Sequence, residues 1–155
     1  MARFKTEGLQ ELIDDMEEMG QTTGDLAQKM LLAGAEEIKI SWKKAVEIHK
    51  VKLTGQTLNS IDYSRSPKKT GDILSIDIYP QGYSTYTISN GIRYRRKTPV
   101  RNAEVAFVNH YGTRKHPGTF FVDTADDLSG PAVEKVCTDI WDTWLGKNGF
   151  AKEGK

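Results

Sequence analysis

The strongest constraint on the fold is an apolar stripe that runs through residues 22–49. Its members recur at three- and four-residue steps, which places them on one face of a helix: Ala27, Met30, Leu31, Gly34, Ile38, Trp42, Ala45 and Ile48. Segment 22–25 offers hydroxyl and carboxylate groups that can accept the free amides of a first turn. The predicted helix is about 40 Å long. One small sheet cannot cover that much apolar surface, so the surplus face is a candidate subunit contact.

A shorter helix is predicted before it, over residues 8–19. Its apolar residues share one helical face: Leu9, Leu12, Ile13, Met16 and Met19. Carboxylates fill the other face: Glu11, Asp14, Asp15, Glu17 and Glu18. Gly20 is the predicted end of this helix.

Beyond residue 51 the pattern becomes that of a sheet. Leu74, Ile76 and Ile78 alternate with polar residues, as in a strand with one buried face. Segments 83–89 and 92–97 are predicted to pair through a tight turn at Asn90-Gly91. Segments 64–71 and 97–104 are polar and are predicted as loops, whereas 105–111 remains undecided between helix and strand.

A last helix is predicted to start near Ser129 and Pro131 and to end at Gly146. The predicted class is therefore α+β: two N-terminal helices, one of them long, a small antiparallel sheet with hairpins, and a C-terminal helix packed on that sheet. We expect one domain over residues 1–155, ordered from about 8 to 146, with a polar tail at 147–155.

Charge and composition narrow the function classes. Basic and acidic side chains number 22 and 21, so the chain has no large net attraction to nucleic acid or to acidic membranes. A single cysteine, Cys137, permits no internal disulfide and lies on an apolar stripe, where it behaves as a small hydrophobe. No segment approaches the roughly 20 apolar residues of a membrane span, and the N-terminus lacks the features of a signal peptide. A protein made and used in a cytoplasm is expected.

The sequence carries no Gly-rich phosphate loop, HExxH or CxxC pair. His110 and His116 precede three carboxylates, and together these residues are the basis of one minor hypothesis, a metal-dependent hydrolase: Asp123, Asp126 and Asp127. Packing of His110 and a loop position for His116 explain the same residues better. We expect no catalytic residue, no cofactor and no metal.

Five basic side chains form the densest charge cluster, with Tyr94 among them: Arg93, Arg95, Arg96, Lys97 and Arg101. Such a cluster can meet DNA phosphates while the tyrosine stacks on a base. It can also be a solvated hairpin tip, or an interface matched to the acidic first helix. A small nucleic-acid-binding module using residues 93–101 is the alternative function.

Two segments resemble the family of small bacteriophage neck and tail-component proteins. Residues 54–61 are similar to the family's T-G-x-L-x-x-S-I stretch through Thr54, Gly55, Leu58 and Ser60. Residues 104–125 resemble its E-V-A-F-(I/V)-N-E-Y-G block, with matches that include Ala106, Phe107, Asn109, Tyr111 and Gly112, followed here by Thr113. His110 stands where the family usually has Glu, and Pro117-Gly118-Thr119-Phe120 stands where P-A-R-P-F is common.

The resemblance implies a structural virion protein of a long-tailed phage or prophage, assembled in the bacterial host cytoplasm. Such proteins are head–tail connectors or tail-completion and tail-terminator subunits. They form hexameric or twelve-fold rings around the DNA channel, and they contact neighbouring neck and tail-tube proteins. The resemblance carries no catalytic residue or cofactor. His110 is then a candidate pH-sensitive substitute for a carboxylate at a packing or subunit contact.

Overall fold

The computed structural model describes residues 9–51, 55–71 and 73–148. Within these ranges the fold class is α+β, as predicted. The elements are α1 (Leu9–Ile48), α2 (Gly55–Asn59), β1 (Ile61–Tyr63), β2 (Lys68–Thr70), β3 (Ile73–Ser75), β4 (Ile78–Pro80), β5 (Tyr83–Ser89), β6 (Ile92–Arg101), α3 (Asn102–Tyr111), β7 (Gly112–Thr113), β8 (His116–Pro117) and α4 (Phe121–Lys147).

The N-terminal part is one continuous helix of 40 residues, so the prediction of two helices is wrong. Gly20 and Gly24 lie inside α1 and do not end it. Each glycine weakens a helix by about 1 kcal/mol relative to Ala. Because α1 continues through both glycines, the amides and carbonyls around them keep their helical partners, which offsets part of this cost.

Helix α4 also starts earlier than predicted. It begins at Phe121 and holds Pro131 in its interior, whereas Ser129 and Pro131 were expected at its first turn. A proline inside a helix costs about 3 kcal/mol. Phe121 and Ala125 offset this cost, because both are fully buried on the face that meets α1.

The two long helices pack against each other in antiparallel order. At one end Ala45 and Val46 of α1 form the core with Phe121 and Ala125 of α4. At the other end Leu26 lines a shared groove with the last turns of α4. The prediction that the C-terminal helix packs on the sheet is therefore wrong: its main partner is α1. The apolar residues of α4 are thereby removed from water against the stripe of α1.

Close approach of α1 and α4 depends on a small residue at the middle of the contact. A Cβ on Gly34 would stand 3.3 Å from Val133 Cγ1, so any side chain there would press on α4. One turn away, the Cys137 thiol donates to the Met30 carbonyl at 3.8 Å. These contacts explain why Gly34 sits in the apolar stripe despite its low helix propensity.

The described strands form four antiparallel pairs and not one sheet. The strand predicted around 74–78 is split, because β3 pairs with β2 and β4 pairs with β1. The predicted loop 64–71 thus contains β2. The predicted loop 97–104 is also wrong, because β6 runs to Arg101 and α3 starts at the next residue. The undecided segment 105–111 is helical.

The predicted hairpin turn is confirmed. Asn90 and Gly91 have φ values of 50° and 79°, which the short turn between β5 and β6 requires. Near the base of the hairpin, Ser84 pairs with Val100 while Tyr86 pairs with Arg95, so β6 carries an insertion there. Such an irregularity increases the local twist and turns the hairpin away from the plane of its base.

A polar cluster fixes β1 on α1. The Tyr63 hydroxyl donates to Glu36 at 2.9 Å, and Lys39 Nζ donates to Asp62 Oδ1 at 3.1 Å. The bond from Lys39 lowers the pKa of the Asp62 carboxyl below its ordinary value. Burial, followed by the hydrogen bond to Glu36, raises the pKa of Tyr63. The two pKa shifts favour an ionised Asp62 and a protonated Tyr63, which are the states in which these hydrogen bonds form.

Truncating the buried end of the helix pair tests this account of the core. Phe121→Ala is expected to lower the free energy of unfolding by about 3–5 kcal/mol, because the ring is fully buried and stands edge-on to Trp42 at 5.8 Å. Phe107→Ala is the matched control, since that ring is 63% exposed, and it should cost less than about 1 kcal/mol. Urea unfolding measures both. Equal losses would show that the core lies elsewhere.

Candidate functional site

Helix α3, which carries the second motif, has one buried and one exposed face. Asn102, Ala106 and His110 are buried at four-residue spacing. Phe107 and Tyr111 each follow a buried residue, so they lie about 100° around the helix from it, with exposures of 63% and 58%. The motif therefore combines a face that holds the fold together with a face that is open to a partner.

The exposed side forms an apolar patch with Phe120 from the loop before α4. The Phe107 and Tyr111 rings are 4.7 Å apart, and the His110 ring contacts both Tyr111 and Phe120, at 4.4 and 5.5 Å. We call Phe107, Val108, Tyr111 and Phe120 the aromatic patch. All four side chains are among the exposed large hydrophobic residues of the described chain.

The loop that follows α3 is held against it by backbone contact. Asn109 O accepts hydrogen bonds from the Thr119 amide at 3.0 Å and the Thr119 hydroxyl at 2.9 Å. His110 O accepts from the Phe120 amide at 3.0 Å. These bonds bring the start of α4 to the end of α3 and fix the direction in which α4 leaves.

Two glycines make this approach possible. Gly112 has a φ of 83° and a ψ of −171°, a conformation essentially restricted to glycine. A Cβ on Gly112 would stand 2.6 Å from the His116 carbonyl oxygen. One on Gly118 would stand 2.7 Å from the Tyr111 carbonyl oxygen. At Gly118 the chain thus makes a backbone contact that excludes any side chain.

His110 supplies a helix cap from outside the helix that it caps. Phe120, the residue before α4, makes no side-chain cap bond and adopts a left-handed conformation with φ 51°. The Val122 amide instead donates to His110 Nδ1 at 3.3 Å. One of the amides that every helix start leaves without a partner is thereby satisfied by α3. His110 Nε2 lies 3.8 Å from Asp123 Oδ1.

The other motif residues have mainly structural contacts. Ala106 is in the core, and Leu58 packs against it. Asn109 Nδ2 donates to Val105 O at 2.7 Å, and Ser60 Oγ donates to Thr57 O at 2.7 Å. Thr113 Oγ1 accepts from the His116 amide at 3.2 Å within the turn. Gly55 begins α2. Thr54 lies outside the described residues.

The basic hairpin, which we define as Arg93, Arg95, Arg96, Lys97 and Arg101 on β6, is divided in its contacts. Arg93 stacks over the Tyr86 ring at 4.1 Å, and Arg96 Nε donates to the Tyr86 carbonyl at 3.1 Å. Arg95, Lys97 and Arg101 are exposed, and no carboxylate of the described residues lies within 4.0 Å of them. Two of the arginines thus shape the hairpin, and three basic groups remain available.

A buried polar cluster that sequence reasoning missed fixes the hairpin base. Asn102 Nδ2 donates to Gln81 O at 2.7 Å, and the Thr57 hydroxyl donates to Asn102 Oδ1 at 3.4 Å. Gln56 Oε1 accepts from the Thr85 amide at 3.1 Å. In the sequence these are isolated polar residues next to the two motifs. They form no periodic pattern from which their burial could be predicted.

Of the histidines and aspartates of the metal hypothesis, the structure brings together only His110 and Asp123, with Nε2 and Oδ1 3.8 Å apart. His116 is exposed in the turn between β7 and β8, and Asp126 and Asp127 are exposed on α4. Across residues 9–51, 55–71 and 73–148, no three His, Cys, Asp or Glu side chains are grouped to hold a metal ion. None of the helices in those ranges is both long and apolar enough to cross a membrane.

Comparison with family models gives one match, over residues 10–110, to the family described as "Bacteriophage HK97-gp10, putative tail-component". The matched range covers α1 to His110 of α3 and includes the basic hairpin. Comparison with curated proteins and with solved structures gives no significant match.

The close backbone approach predicts a sharp difference between two glycines. Gly112→Ala should destabilise the protein by at least about 3 kcal/mol, because it adds both backbone strain and overlap with the 116–118 backbone. Gly130→Ala in α4 meets nothing within 4 Å and should stabilise by up to about 1 kcal/mol. Thermal unfolding compares them. A neutral Gly112→Ala would mean that the loop does not pack on α3.

The capping role of His110 predicts which substitutions the site accepts. His110→Phe keeps a ring but removes the acceptor, so the Val122 amide loses its bond at a cost of about 1–2 kcal/mol. His110→Glu restores an acceptor and places a negative charge at the start of α4, so it should retain most of the stability. If urea unfolding shows both variants equally destabilised, ring packing matters and the cap does not.

Proposed function

Since this chain belongs to the HK97-gp10-like family of bacteriophage tail components, we propose that it is a structural ring subunit of the virion neck or tail. In this role it joins head and tail, or completes the tail, around the DNA channel. The subunit is made in the host cytoplasm and acts by binding its neighbours, without a catalytic group or cofactor.

The observation that carries this proposal is the aromatic patch on α3. Phe107, Tyr111 and Phe120 expose about half or more of their surface, although large aromatic side chains are normally buried. Exposed apolar clusters of this kind mark protein interfaces, where aromatic residues provide much of the binding energy. We propose that the patch binds a neighbouring neck or tail-tube protein.

The rigid contacts beneath the aromatic patch also support a role in assembly. Gly112 and Gly118 lock the loop, and the His110 cap fixes α4 relative to α3. A surface held in its binding conformation loses less entropy on association. The proposed interface is therefore formed before the partner arrives.

Ring formation needs a second kind of contact, between unlike faces of two copies. A heterologous contact of this kind closes into a ring when its rotation allows. The six-fold or twelve-fold order is an expectation from the family resemblance.

A second candidate function is non-specific contact with DNA through the basic hairpin. The observation that favours it is the exposure of Arg95, Lys97 and Arg101 beside an exposed Tyr94. Phosphate contacts of this kind weaken steeply as salt is raised. If the hairpin binds DNA, the affinity of the isolated protein for DNA should fall steeply as salt is raised, whether or not the protein self-associates.

Truncating two rings of the aromatic patch should weaken binding to the tail and leave the fold intact. Phe107→Ala with Tyr111→Ala is expected to weaken attachment to purified tail tubes by about 30-fold or more, as for truncated hot spots. Mass measurement with and without tail tubes reports attachment.

Ile73→Ala with Tyr79→Ala is the control, because it truncates two exposed large apolar side chains, at 70% and 47% exposure, that lie outside the aromatic patch. The control should bind as the parent protein does. Undiminished binding of the α3 variant, or equal loss in the control, would contradict the proposed interface.

A further inference from the structure

The chain carries two long segments whose charges have a single sign. Residues 9–28 hold six carboxylates and no Lys or Arg: Glu11, Asp14, Asp15, Glu17, Glu18 and Asp25. Residues 78–103 hold the five groups of the basic hairpin and no Asp or Glu. We call the first segment the acidic helix end. The near-neutral total of the chain conceals this separation.

The antiparallel helix pair places these segments at opposite ends of the molecule. The basic hairpin stands on α2 and α3, where Gln56 bonds to Thr85 just beyond the C-terminal end of α1. The acidic helix end is the start of the same helix. From Ile48 back to Asp25, α1 rises about 35 Å at 1.5 Å per residue, and the other carboxylates are farther still.

The hairpin cannot close this distance within one chain. Strand β5 has 7 residues, so at about 3.3 Å per residue the hairpin tip lies some 23 Å from its base. Even a hairpin lying flat along α1 would stop short of Asp25. The two charged segments can therefore meet only if they belong to different copies.

The acidic helix end also extends past the other long helix. Leu26 lies beside the last turns of α4, which ends at Lys147. Helix α1 continues towards Leu9 for a further 17 residues, which is about 25 Å. This part of α1 projects beyond the described end of α4, so it can reach a neighbouring subunit.

We propose that the basic hairpin of one copy binds the acidic helix end of the next copy. The contact joins unlike surfaces at opposite ends, so it is heterologous and repeats from copy to copy. It rests on the proposed ring function and supplies the subunit contact that this function needs. Opposite charges fix the order and direction of the subunits.

A second copy fits the hairpin better than DNA does. The acidic helix end is part of the same molecule, and its six carboxylates repel a polyanion while they attract a basic hairpin. Arg93 stacks on the Tyr86 ring, and Arg96 donates to the Tyr86 carbonyl. The other three basic groups of the hairpin are therefore available to pair with carboxylates of the acidic helix end.

Two charge reversals of the full-length chain test the contact. The hairpin variant is Arg95→Glu, Lys97→Glu and Arg101→Glu, which spares the two arginines that shape β6. The helix variant is Glu11→Lys, Asp14→Lys, Asp15→Lys, Glu17→Lys and Glu18→Lys, because reversing only three of the six carboxylates would leave this segment neutral. Sedimentation at low salt should show self-association of the parent chain and a loss of at least about 30-fold in each variant alone.

Mixing the two variants is the decisive measurement. Each variant alone has like charges at both ends, but a one-to-one mixture again pairs opposite charges and should restore association in alternating order. Lys44→Glu, Arg114→Glu and Lys135→Glu is the matched control for the hairpin variant, with the same change in net charge as that variant on exposed groups elsewhere, and it should associate as the parent does. Circular dichroism checks that all variants fold.

Three results would overturn the contact: a mixture that stays dissociated, variants that associate as the parent does, or a parent that is monomeric both free and on purified tail tubes. DNA binding by the parent that the hairpin variant loses, without rescue in the mixture, would assign the hairpin to DNA. If the parent attaches to tail tubes but self-association is unchanged by the charge reversals, only the proposed contact between hairpin and helix end is wrong. If it does not attach at all, the proposed function fails.

Discussion

The structure depends on the antiparallel packing of α1 and α4. Ala45 and Val46 meet Phe121 and Ala125 at one end, and Gly34 lets Val133 approach at the centre. This contact forms most of the core cluster, and the strand pairs lie around it. The same contact fixes where every other surface points, since α2, α3 and the hairpin all stand near the C-terminal end of α1.

The second motif links this core to the proposed interface. Its buried face contributes Ala106 to the core and the His110 acceptor to the start of α4. Its exposed face presents Phe107 and Tyr111. Residues on two adjacent sides of one short helix thus stabilise the fold and form the proposed binding surface. The histidines that first suggest catalysis act as a cap and as part of a turn.

The acidic and basic residues of the chain are concentrated in two separate segments, so the molecule is electrically polar along its long helix. Near-neutral net charge suggests little electrostatic role, yet the acidic helix end and the basic hairpin lie at the two ends of a helix of 40 residues. The contact that we propose between such ends would add subunits in one direction. The aromatic patch on α3 is a separate, apolar surface, which we propose binds a different neighbour.

Sequence alone determined the features that depend on neighbouring residues: the long apolar stripe of α1, the Asn90-Gly91 turn, the charge blocks and the resemblance to a family. These signals are local, because periodicity and turn chemistry act over a few residues. Tertiary structure decided the rest. Gly20 does not end a helix, Phe121 starts one ten residues before Pro131, and His110 caps a helix to which it does not belong. Each of these depends on a partner distant in sequence, whose packing energy outweighs a local preference of about 1–3 kcal/mol.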